Sequence, residues 1–380
     1  MMKRICYIVT LGRTIDAFFI PQLKHLAENG FDVSVVCTDD NSNLREKLGD
    51  SVHFIPMNIP RGIAVIGMVE AIRNLRWLFK REKYDLIQYS TPNAAFCSAI
   101  AGKQAGIQKR NYHLMGLRYL GENGILKKVL KEIEKATCSL STSIECVSHS
   151  NLKMAIEDGL FPAEKGTVVW NGSSGGVDLT YFDYKKRNVY RKEIRRKHGL
   201  SDEDFVFGFV GRITRDKGIN EILDAYYQLS QGKLLMVGGI EGEESLNHAL
   251  FHRSKEDSNI IYAGHVTEVE KYYCAMDVLL LPSYREGFGN VVIEAAAMGT
   301  PAIVSNIPGP IDAIEKGVTA YTVEPKNSLD LKAKMERIMR GDYQQMGVSA
   351  LKYVETHFDS RILCEKIVDR KINLIGAQTY

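Results

Sequence analysis

Long apolar runs, cysteine pairs and repeats are all missing from this sequence of 380 residues. No apolar stretch approaches the roughly 18 residues that a membrane-spanning helix needs, which argues against a transmembrane segment. The seven cysteines, scattered from Cys6 to Cys364, include no Cys-x-x-Cys pair, and several lie in apolar segments. We therefore expect buried thiols in a reducing cytosol, with neither disulfides nor zinc. The stretch from Ile5 to Leu11 is too short for a signal peptide and lacks a small-residue cleavage site, so it predicts a buried strand.

The sequence does contain an alternation of strands and helices in two series. Its composition, 45% hydrophobic and 25% charged, is that of a soluble globular protein, and its length suits two domains of about 180 residues. Turn-forming residues from Trp170 to Gly176 mark a boundary, and the second series begins at Phe205. The pattern predicts an α/β protein built on doubly wound parallel sheets. We expect one domain over residues 1–171, a second over 172–359, and a terminal helix.

Two cations follow a buried strand at the start of the second series. Phe205 to Val210 is a continuous apolar run, typical of a parallel strand covered on both faces, and helical spacing begins at Asn220. Arg212 and Lys217 therefore lie in the loop at the carboxyl end of that strand, just before a helix. Open α/β sheets bind ligands at this edge, and helix N-termini there attract anions. The loop is a candidate phosphate site, although two solvated surface charges would look the same.

Two glutamates eight residues apart follow another strand, Asp277 to Pro282, in the same arrangement. Between them, Gly287 and Gly289 allow the backbone to approach a ligand closely and present N–H groups at a helix start. Glu286 lies in the loop and Glu294 one turn into the helix. A carboxylate only accepts hydrogen bonds, which suits vicinal hydroxyl groups. Taken singly, Glu286 could instead complement the helix dipole and Glu294 could be an ordinary surface residue.

In this order and spacing, the two motifs resemble those of the retaining glycosyltransferases of family 4, which have the GT-B fold. The resemblance covers nearly the whole chain and extends to the segment from Gly299 to Asp312. In the first half, Gly116-Leu-Arg-Tyr and Gly121-Glu-Asn-Gly are similar to the bacterial branch that builds capsule, O-antigen and other exported polysaccharides. The implied architecture is two Rossmann-like domains facing a central cleft. Residues 1–171 would bind the acceptor, 172–359 would bind the nucleotide-sugar, and the segment 360–380 would pack back onto the first domain.

The resemblance also implies a role for each motif. Arg212 and Lys217 would hold the donor diphosphate, Glu286 would lie against the donor sugar as the catalytic carboxylate, and Glu294 would bind the ribose. The remaining donor contacts would come from Gly12 beneath the diphosphate, Val266 beside the base, and the loop residues Gly287, Phe288, Gly289 and Asn290. Charge stabilisation of the leaving diphosphate requires no metal and no cofactor in this scheme. The base is expected to be uracil, as in most of this branch.

The catalytic residue of the first domain is less well marked. Many relatives place a histidine directly before the glycine that corresponds to Gly116, but Met115 occupies that position here. The nearest imidazole is His113, at the end of a predicted strand. It is our candidate catalytic residue, and a satisfied core histidine is the alternative.

Positive charge is concentrated between Arg61 and Lys131, where 13 Lys and Arg stand against four acidic residues. Within this segment, Trp77 lies on the predicted polar side of a helix, next to Arg73, Lys80 and Arg81. An outward tryptophan among cations suits an anionic lipid surface, whereas a tryptophan covered by a loop is the ordinary alternative. No recognised nucleic-acid-binding motif accompanies the charges, so nucleic acid is not an expected partner.

These observations together predict a metal-independent glycosyltransferase of the hexosyltransferase type. It would move a sugar from a UDP-hexose or UDP-N-acetylhexosamine to a polyprenyl-diphosphate-linked saccharide during surface polysaccharide synthesis. The expected location is the cytoplasm, peripheral on the inner face of the cell membrane. A nucleotide-sugar epimerase of the same fold is one alternative, and a non-catalytic relative that binds nucleotide or membrane is another.

Overall fold

The chain forms two units, each built on its own parallel sheet, in a computed structural model that describes residues 2–40, 43–62 and 64–376. The N-terminal unit consists of the chain up to Gly175 together with the segment that begins at Ser360. The C-terminal unit is Gly176–Asp359. The predicted boundary between residues 171 and 172 lies a few residues before this division. Among the described residues, no helix has both the length and the apolar character needed to cross a membrane.

The N-terminal unit has a seven-stranded sheet in the order β3-β2-β1-β4-β5-β6-β7, with every neighbouring pair parallel. Its strands are β1 (Lys3–Leu11), β2 (Phe31–Thr38), β3 (Val52–Pro56), β4 (Leu86–Tyr89), β5 (Lys109–Leu114), β6 (Ser143–Cys146) and β7 (Gly166–Val168). Its helices are α1 (Gly12–Phe18), α2 (Ile20–Glu28), α3 (Leu44–Leu48), α4 (Val65–Glu82), α5 (Pro92–Ala105), α6 (Gly124–Leu140), α7 (His149–Glu157) and, after the C-terminal unit, α15 (Ser360–Gly376).

Strand β1 illustrates why the strands are apolar throughout. Successive side chains of a strand point to opposite faces. Tyr7 packs into the hydrophobic cluster on one side, with Leu363 and Ile367 of α15, whereas Ile8 packs into the cluster on the other side. Both faces of the sheet are therefore covered, and neither tolerates a polar alternation. The terminal helix contributes directly to one of these two cores.

The C-terminal unit has a six-stranded parallel sheet in the order β10-β9-β8-β11-β12-β13. Its strands are β8 (Val206–Val210), β9 (Lys233–Val237), β10 (Ile260–Gly264), β11 (Val278–Leu281), β12 (Ala302–Ser305) and β13 (Ala320–Val323). Its helices are α8 (Arg187–Lys197), α9 (Ile219–Tyr226), α10 (His248–Glu256), α11 (Val269–Ala275), α12 (Asn290–Ala297), α13 (Ser328–Arg340) and α14 (Tyr343–His357). The prediction of an α/β chain with doubly wound parallel sheets is confirmed.

The order of each sheet defines a position where the chain reverses its direction of winding. In the N-terminal unit this switch lies between β1 and β4, and in the C-terminal unit it lies between β8 and β11. The loops after the two strands diverge to opposite sides of the sheet there, which leaves a crevice at the carboxyl edge. The two motifs identified in the sequence follow β8 and β11, so they flank the switch of the C-terminal unit.

A buried ion pair joins the terminal helix to the N-terminal sheet. Lys371 of α15 has no exposed surface, and its ammonium donates to both carboxylate oxygens of Glu145 on β6, at 2.8 and 2.7 Å. Arg370 contributes a second cation, at 3.5 Å from the same carboxylate. Burial alone would raise the pKa of Glu145, but Lys371 and His113 outweigh it and hold that pKa below its ordinary value. The carboxylate therefore stays charged, and it requires its partners.

Replacing Lys371 with methionine should lower the free energy of unfolding of the N-terminal unit by about 3 kcal/mol, because the charge of Glu145 stays buried with weaker partners. Urea unfolding followed by tryptophan fluorescence measures this effect, since both tryptophans of the chain, Trp77 and Trp170, belong to this unit. The folded-state pKa of Glu145 is depressed, so the stabilisation is present above the ordinary carboxyl pKa of 4.5 and is lost as the pH falls below it.

The matched control is the double variant Glu145→Gln with Lys371→Met. It removes both charges together and should recover most of the lost stability. Equal destabilisation in the single and double variants would show that packing of the lysine stem, and not the ion pair, holds α15 in place.

Candidate functional site

The loops after β8 and β11 contact each other directly at the switch of the C-terminal sheet. The backbone N–H of Tyr284 donates to the carbonyl oxygen of Asp216 at 2.8 Å, and Arg285 lies 3.2 Å from the Asp216 carboxylate. Gly218 has a φ of +75°, and a Cβ there would collide with the carbonyl oxygen of Pro282. Only glycine permits this backbone approach, which brings the two sequence motifs into one site.

Lys217 and Glu286 form the centre of this site. The Lys217 ammonium donates to Glu286 Oε1 at 2.6 Å, and the hydroxyl of Ser283 donates to the same oxygen at 2.8 Å. Both charged side chains are mostly buried, with 19% and 13% of their surface exposed. The side chain predicted to bind phosphate, Lys217, therefore contacts the side chain predicted to bind the sugar, Glu286. The sequence predicted only that both lie at the same edge of the sheet.

The glycine-rich part of the loop after β11 packs against the core of the C-terminal unit. Gly289 has a φ of +94° and directly precedes α12, while the ring of Phe288 is buried and packs edge-on against Phe358 at 5.3 Å. Because the Phe288 side chain belongs to the core, its backbone is the part that remains for a ligand. Gly309 lies close beneath this loop, since a Cβ there would stand 2.9 Å from the carbonyl oxygen of Gly287.

Glu294 lies one turn into α12, after Asn290 has begun the helix, and it is partly buried. The phenol of Tyr273 donates to Glu294 Oε2 at 2.7 Å. Burial raises the pKa of Glu294, and the bond from Tyr273 opposes that rise. A half-buried carboxylate with an oriented partner differs from the solvated helix residue that was the alternative interpretation.

Arg212 pairs with a different carboxylate from the one that Lys217 binds. Its guanidinium lies 3.2 Å from Glu241, and about half of each side chain is exposed. The backbone before it is fixed, because Gly211 donates to the carbonyl oxygen of Val237 at 2.9 Å. The structure thus places Arg212 at the carboxyl edge of β8, in a surface ion pair that a stronger anion could replace.

Val266 lies in the loop that follows β10, next to the other strand ends of the same edge. The carbonyl oxygen of Gly264 accepts from the N–H of Gly238 at 2.8 Å, which ties the end of β10 to the end of β9. The hydroxyl of Tyr181 donates to the carbonyl oxygen of Thr267 at 3.2 Å. The predicted base-reading loop is thereby held at both ends.

The N-terminal unit carries its own candidate residues at the switch between β1 and β4. Gly12 is buried and begins α1 directly after β1. Thr91, which follows β4, has a φ of +65°, and its hydroxyl accepts from the N–H of Thr10 at 3.0 Å. The ends of the two strands are therefore linked, and Gly12 lies at the edge where this type of sheet binds ligands.

His113 is buried near the end of β5, with 8% of its surface exposed. Its Nδ1 lies 3.8 Å from Glu145, too far for a hydrogen bond, and neither ring nitrogen has a hydrogen-bond partner among the described residues. A cavity of about 10 Å³ beside it, lined also by Gln22 and Ser174, has room for roughly one water. His113 is thus buried but not satisfied in the way the core alternative supposed.

The predicted membrane residues lie together on the exposed side of α4. Trp77 is 61% exposed, and the guanidinium of Arg81 lies over its ring at 4.4 Å. Arg73 and Lys80 are exposed on the same helix. Large apolar side chains are also exposed at the start of α4, namely Val65, Ile66 and Val69.

Two residues of the site were missed by the sequence reasoning. Ser283 lies inside the second motif, and its position three residues before Glu286 was the available signal. Tyr273 lies on a different helix, 21 residues before Glu294, where nothing in the sequence distinguishes it from a core tyrosine. Among the described residues, no group of three or more His, Cys, Asp or Glu side chains could hold a metal ion.

Comparisons with known proteins identify the family of this chain. The family model of glycosyl transferases group 1 matches residues 190–352, and that of glycosyltransferase family 4 matches residues 22–174. The chain is 30% identical over 371 residues to the capsular polysaccharide biosynthesis glycosyltransferase CapM of Staphylococcus aureus, covering 96% of both chains. It is 25% identical to the UDP-Gal:alpha-D-GlcNAc-diphosphoundecaprenol alpha-1,3-galactosyltransferase of Escherichia coli, covering 80% of this chain and 79% of that one.

Among solved structures, Anabaena HepE in complex with UDP superposes with a TM-score of 0.78 at 18% identity, over 97% of this chain and 100% of that one. This likeness establishes the fold, which is the predicted GT-B architecture of two Rossmann-like units. The match to CapM extends along nearly the whole of both chains. The protein therefore belongs to the glycosyltransferases of family 4, with a C-terminal unit of group 1 type.

Proposed function

We propose that this glycosyltransferase transfers a hexose or N-acetylhexosamine from a UDP-linked donor to a polyprenyl-diphosphate-linked saccharide, with retention of anomeric configuration. The observation that most strongly supports this proposal is the contact between Lys217 and Glu286 at the switch of the C-terminal sheet. It places a cation, which can bind the diphosphate, next to a carboxylate, which can accept hydrogen bonds from the sugar. A sugar joined to a diphosphate requires these two groups side by side. The names of CapM and of the E. coli galactosyltransferase support capsule synthesis, a UDP-linked donor and a lipid-diphosphate acceptor.

Lys217 is suited to link the part of the site that binds the diphosphate of the donor to the part that binds its sugar. An ammonium has three donors, and Glu286 occupies one of them at 2.6 Å. The other two can bind oxygens of the leaving phosphate, where negative charge grows as the glycosidic bond breaks. Stabilising that charge from a fixed position is the main electrostatic contribution expected here, and Arg212 adds to it once it exchanges Glu241 for phosphate. The scheme uses no metal and no cofactor.

Retention follows in this proposal from attack on the same face that the diphosphate leaves. The acceptor hydroxyl forms the new bond to the anomeric carbon, the bond to the donor phosphate breaks, and the departing phosphate oxygen takes the hydroxyl proton. Glu286, held by Lys217 and Ser283, orients a sugar hydroxyl and does not act as nucleophile. His113 remains the candidate catalytic residue of the N-terminal unit.

The direct test is incubation of purified protein with labelled UDP-sugars and polyprenyl-diphosphate-linked saccharides. A labelled lipid product with unchanged anomeric configuration by NMR would support the proposal. Appearance of a free epimer of the donor would instead establish the epimerase alternative, and the absence of both products would favour a non-catalytic binding role.

Two glutamate substitutions separate sugar contacts from nucleoside contacts. Glu286→Gln should nearly abolish transfer and leave the affinity for UDP almost unchanged, because this residue faces the sugar. Glu294→Ala should weaken UDP binding by about 1.5–3 kcal/mol through lost hydrogen bonds to a charged group. Isothermal calorimetry with UDP measures both. An equal fall of affinity in the two variants would refute this division of roles.

The two cations should affect turnover more than binding. Lys217→Ala and Arg212→Ala should each lower kcat by roughly 10²-fold or more, the size expected for losing a fixed donor to a developing charge, while uridine affinity changes little. Lys233→Ala is the control, since this half-buried lysine lies at the start of β9, away from the carboxyl edge, and pairs with Asn259. Parallel losses of uridine binding and turnover would argue for a structural role.

Activity should persist after treatment with EDTA, because Lys217 and Arg212 supply the positive charge that a divalent cation supplies in metal-dependent transferases. Initial rates before and after dialysis against the chelator give the answer. A strict requirement for Mg²⁺ or Mn²⁺ would overturn the metal-free scheme.

We further propose that α4 docks the N-terminal unit on the anionic cytoplasmic leaflet, where a polyprenyl-linked acceptor resides. Each cation near such a surface contributes on the order of 1 kcal/mol, and exposed Trp77 adds an interfacial anchor. Reversing Arg73, Lys80 and Arg81 to glutamate should release the protein from anionic liposomes at low salt and leave UDP binding intact.

The matched control reverses three exposed cations of the C-terminal unit, Lys185, Lys192 and Arg196. Both variants change the net charge equally, so only a local docking face predicts that the α4 variant alone loses sedimentation with liposomes. Similar sedimentation of the two variants with liposomes would contradict the docking hypothesis.

A further inference from the structure

A partly buried hydrogen bond connects Tyr273 of α11 to Glu294 of α12. The Tyr273 side chain has no exposed surface, and its hydroxyl donates to Glu294 Oε2 at 2.7 Å. Within the described residues, this phenol is the hydrogen-bond partner of the Glu294 carboxylate, and no other side chain or backbone group bonds to it. One carboxylate oxygen is thereby fixed, and Oε1 is left for a ligand.

We propose that Tyr273 is the positioning residue that orients Glu294 towards the ribose hydroxyls of the donor, an inference that rests on the proposed function. A glutamate has several rotatable bonds, and ordering it on binding costs affinity. A carboxylate whose plane is already set by one hydrogen bond loses less freedom when the vicinal hydroxyls donate to it. Tyr273 acts through Glu294 and does not itself touch the nucleotide.

Tyr273 is itself held firmly, as a positioning role requires. Its carbonyl oxygen accepts from the hydroxyl of Thr300 at 2.8 Å, and its ring packs at 6.3 Å from that of Phe182. The side chain is fully buried in the C-terminal unit, with no exposed surface. The direction of the phenol is therefore set by the core of the C-terminal unit.

The bond from Tyr273 also opposes the effect of burial on the charge of Glu294. Burial raises the pKa of Glu294 above its ordinary value, and the bond from Tyr273 limits that rise. Burial and the neighbouring carboxylate raise the pKa of Tyr273 well above its ordinary value, so the phenol remains the donor. The hydroxyls of ribose then meet an acceptor-only group.

The experiment compares UDP with 2′,3′-dideoxy-UDP, which lacks the hydroxyls that Glu294 would bind. Calorimetry on the full-length wild-type chain should give tighter binding of UDP by roughly 10-fold to 100-fold. In Tyr273→Phe this ratio should fall at least about threefold, because the ring is kept and only the donor is lost. The affinity for dideoxy-UDP should stay within about twofold of wild type.

Tyr272→Phe is the matched control. It removes a hydroxyl from the adjacent tyrosine of the same helix, whose bond goes to Lys197 at 3.0 Å and not to Glu294. This variant should keep the wild-type ratio. In a Glu294→Ala background, Tyr273→Phe should add no further loss of UDP affinity, because the group through which it acts is gone.

Each outcome decides a separate point. A wild-type protein that binds the two nucleotides equally would refute the ribose contact itself and with it this inference. A normal wild-type ratio that Tyr273→Phe leaves unchanged would overturn the positioning role alone. An equal loss for both nucleotides in Tyr273→Phe would also overturn it, since that result marks general damage to the unit.

Discussion

The close backbone approach of two loops at the switch of the C-terminal sheet is the constraint on which the site depends. Gly218 has no side chain, so the loop after β8 can lie against Pro282 of the loop after β11, and Tyr284 can bond to Asp216. Lys217 consequently reaches Glu286 at 2.6 Å. Any side chain at Gly218 would push the loops apart and separate the charge that receives phosphate from the carboxylate that orients sugar.

Two carboxylates of the C-terminal unit, Asp277 and Glu294, serve different purposes in this protein. Asp277 is fully paired, because it accepts from Arg191, from Arg195 and from the backbone of Val206, and it holds α8 to the sheet. Glu294 is only partly satisfied, by Tyr273. The first arrangement stabilises the unit, whereas the second leaves acceptor capacity at an edge where a ligand can use it.

The parallel sheets and the positions of both motifs could be predicted, because continuous apolar runs and glycine-rich turns are local signals. The exposure of Trp77 was predicted correctly for the same reason, from helical spacing. The contact of Lys217 with Glu286 and the support of Glu294 by Tyr273 could not be predicted, since each joins separate elements across the fold. His113 was ambiguous because its neighbour Glu145 is committed to Lys371, a residue 226 positions further along the chain.

The position of α15 has a consequence for how the chain acquires its structure during synthesis. All residues of the C-terminal unit precede Ser360, so that unit can complete its core while the last helix is still unmade. The N-terminal sheet, although translated first, waits for Leu363, Ile367 and Lys371. Until the ribosome has delivered them, Glu145 lacks its ammonium partner and one face of the sheet lacks part of its cover, so the unit translated first is completed last.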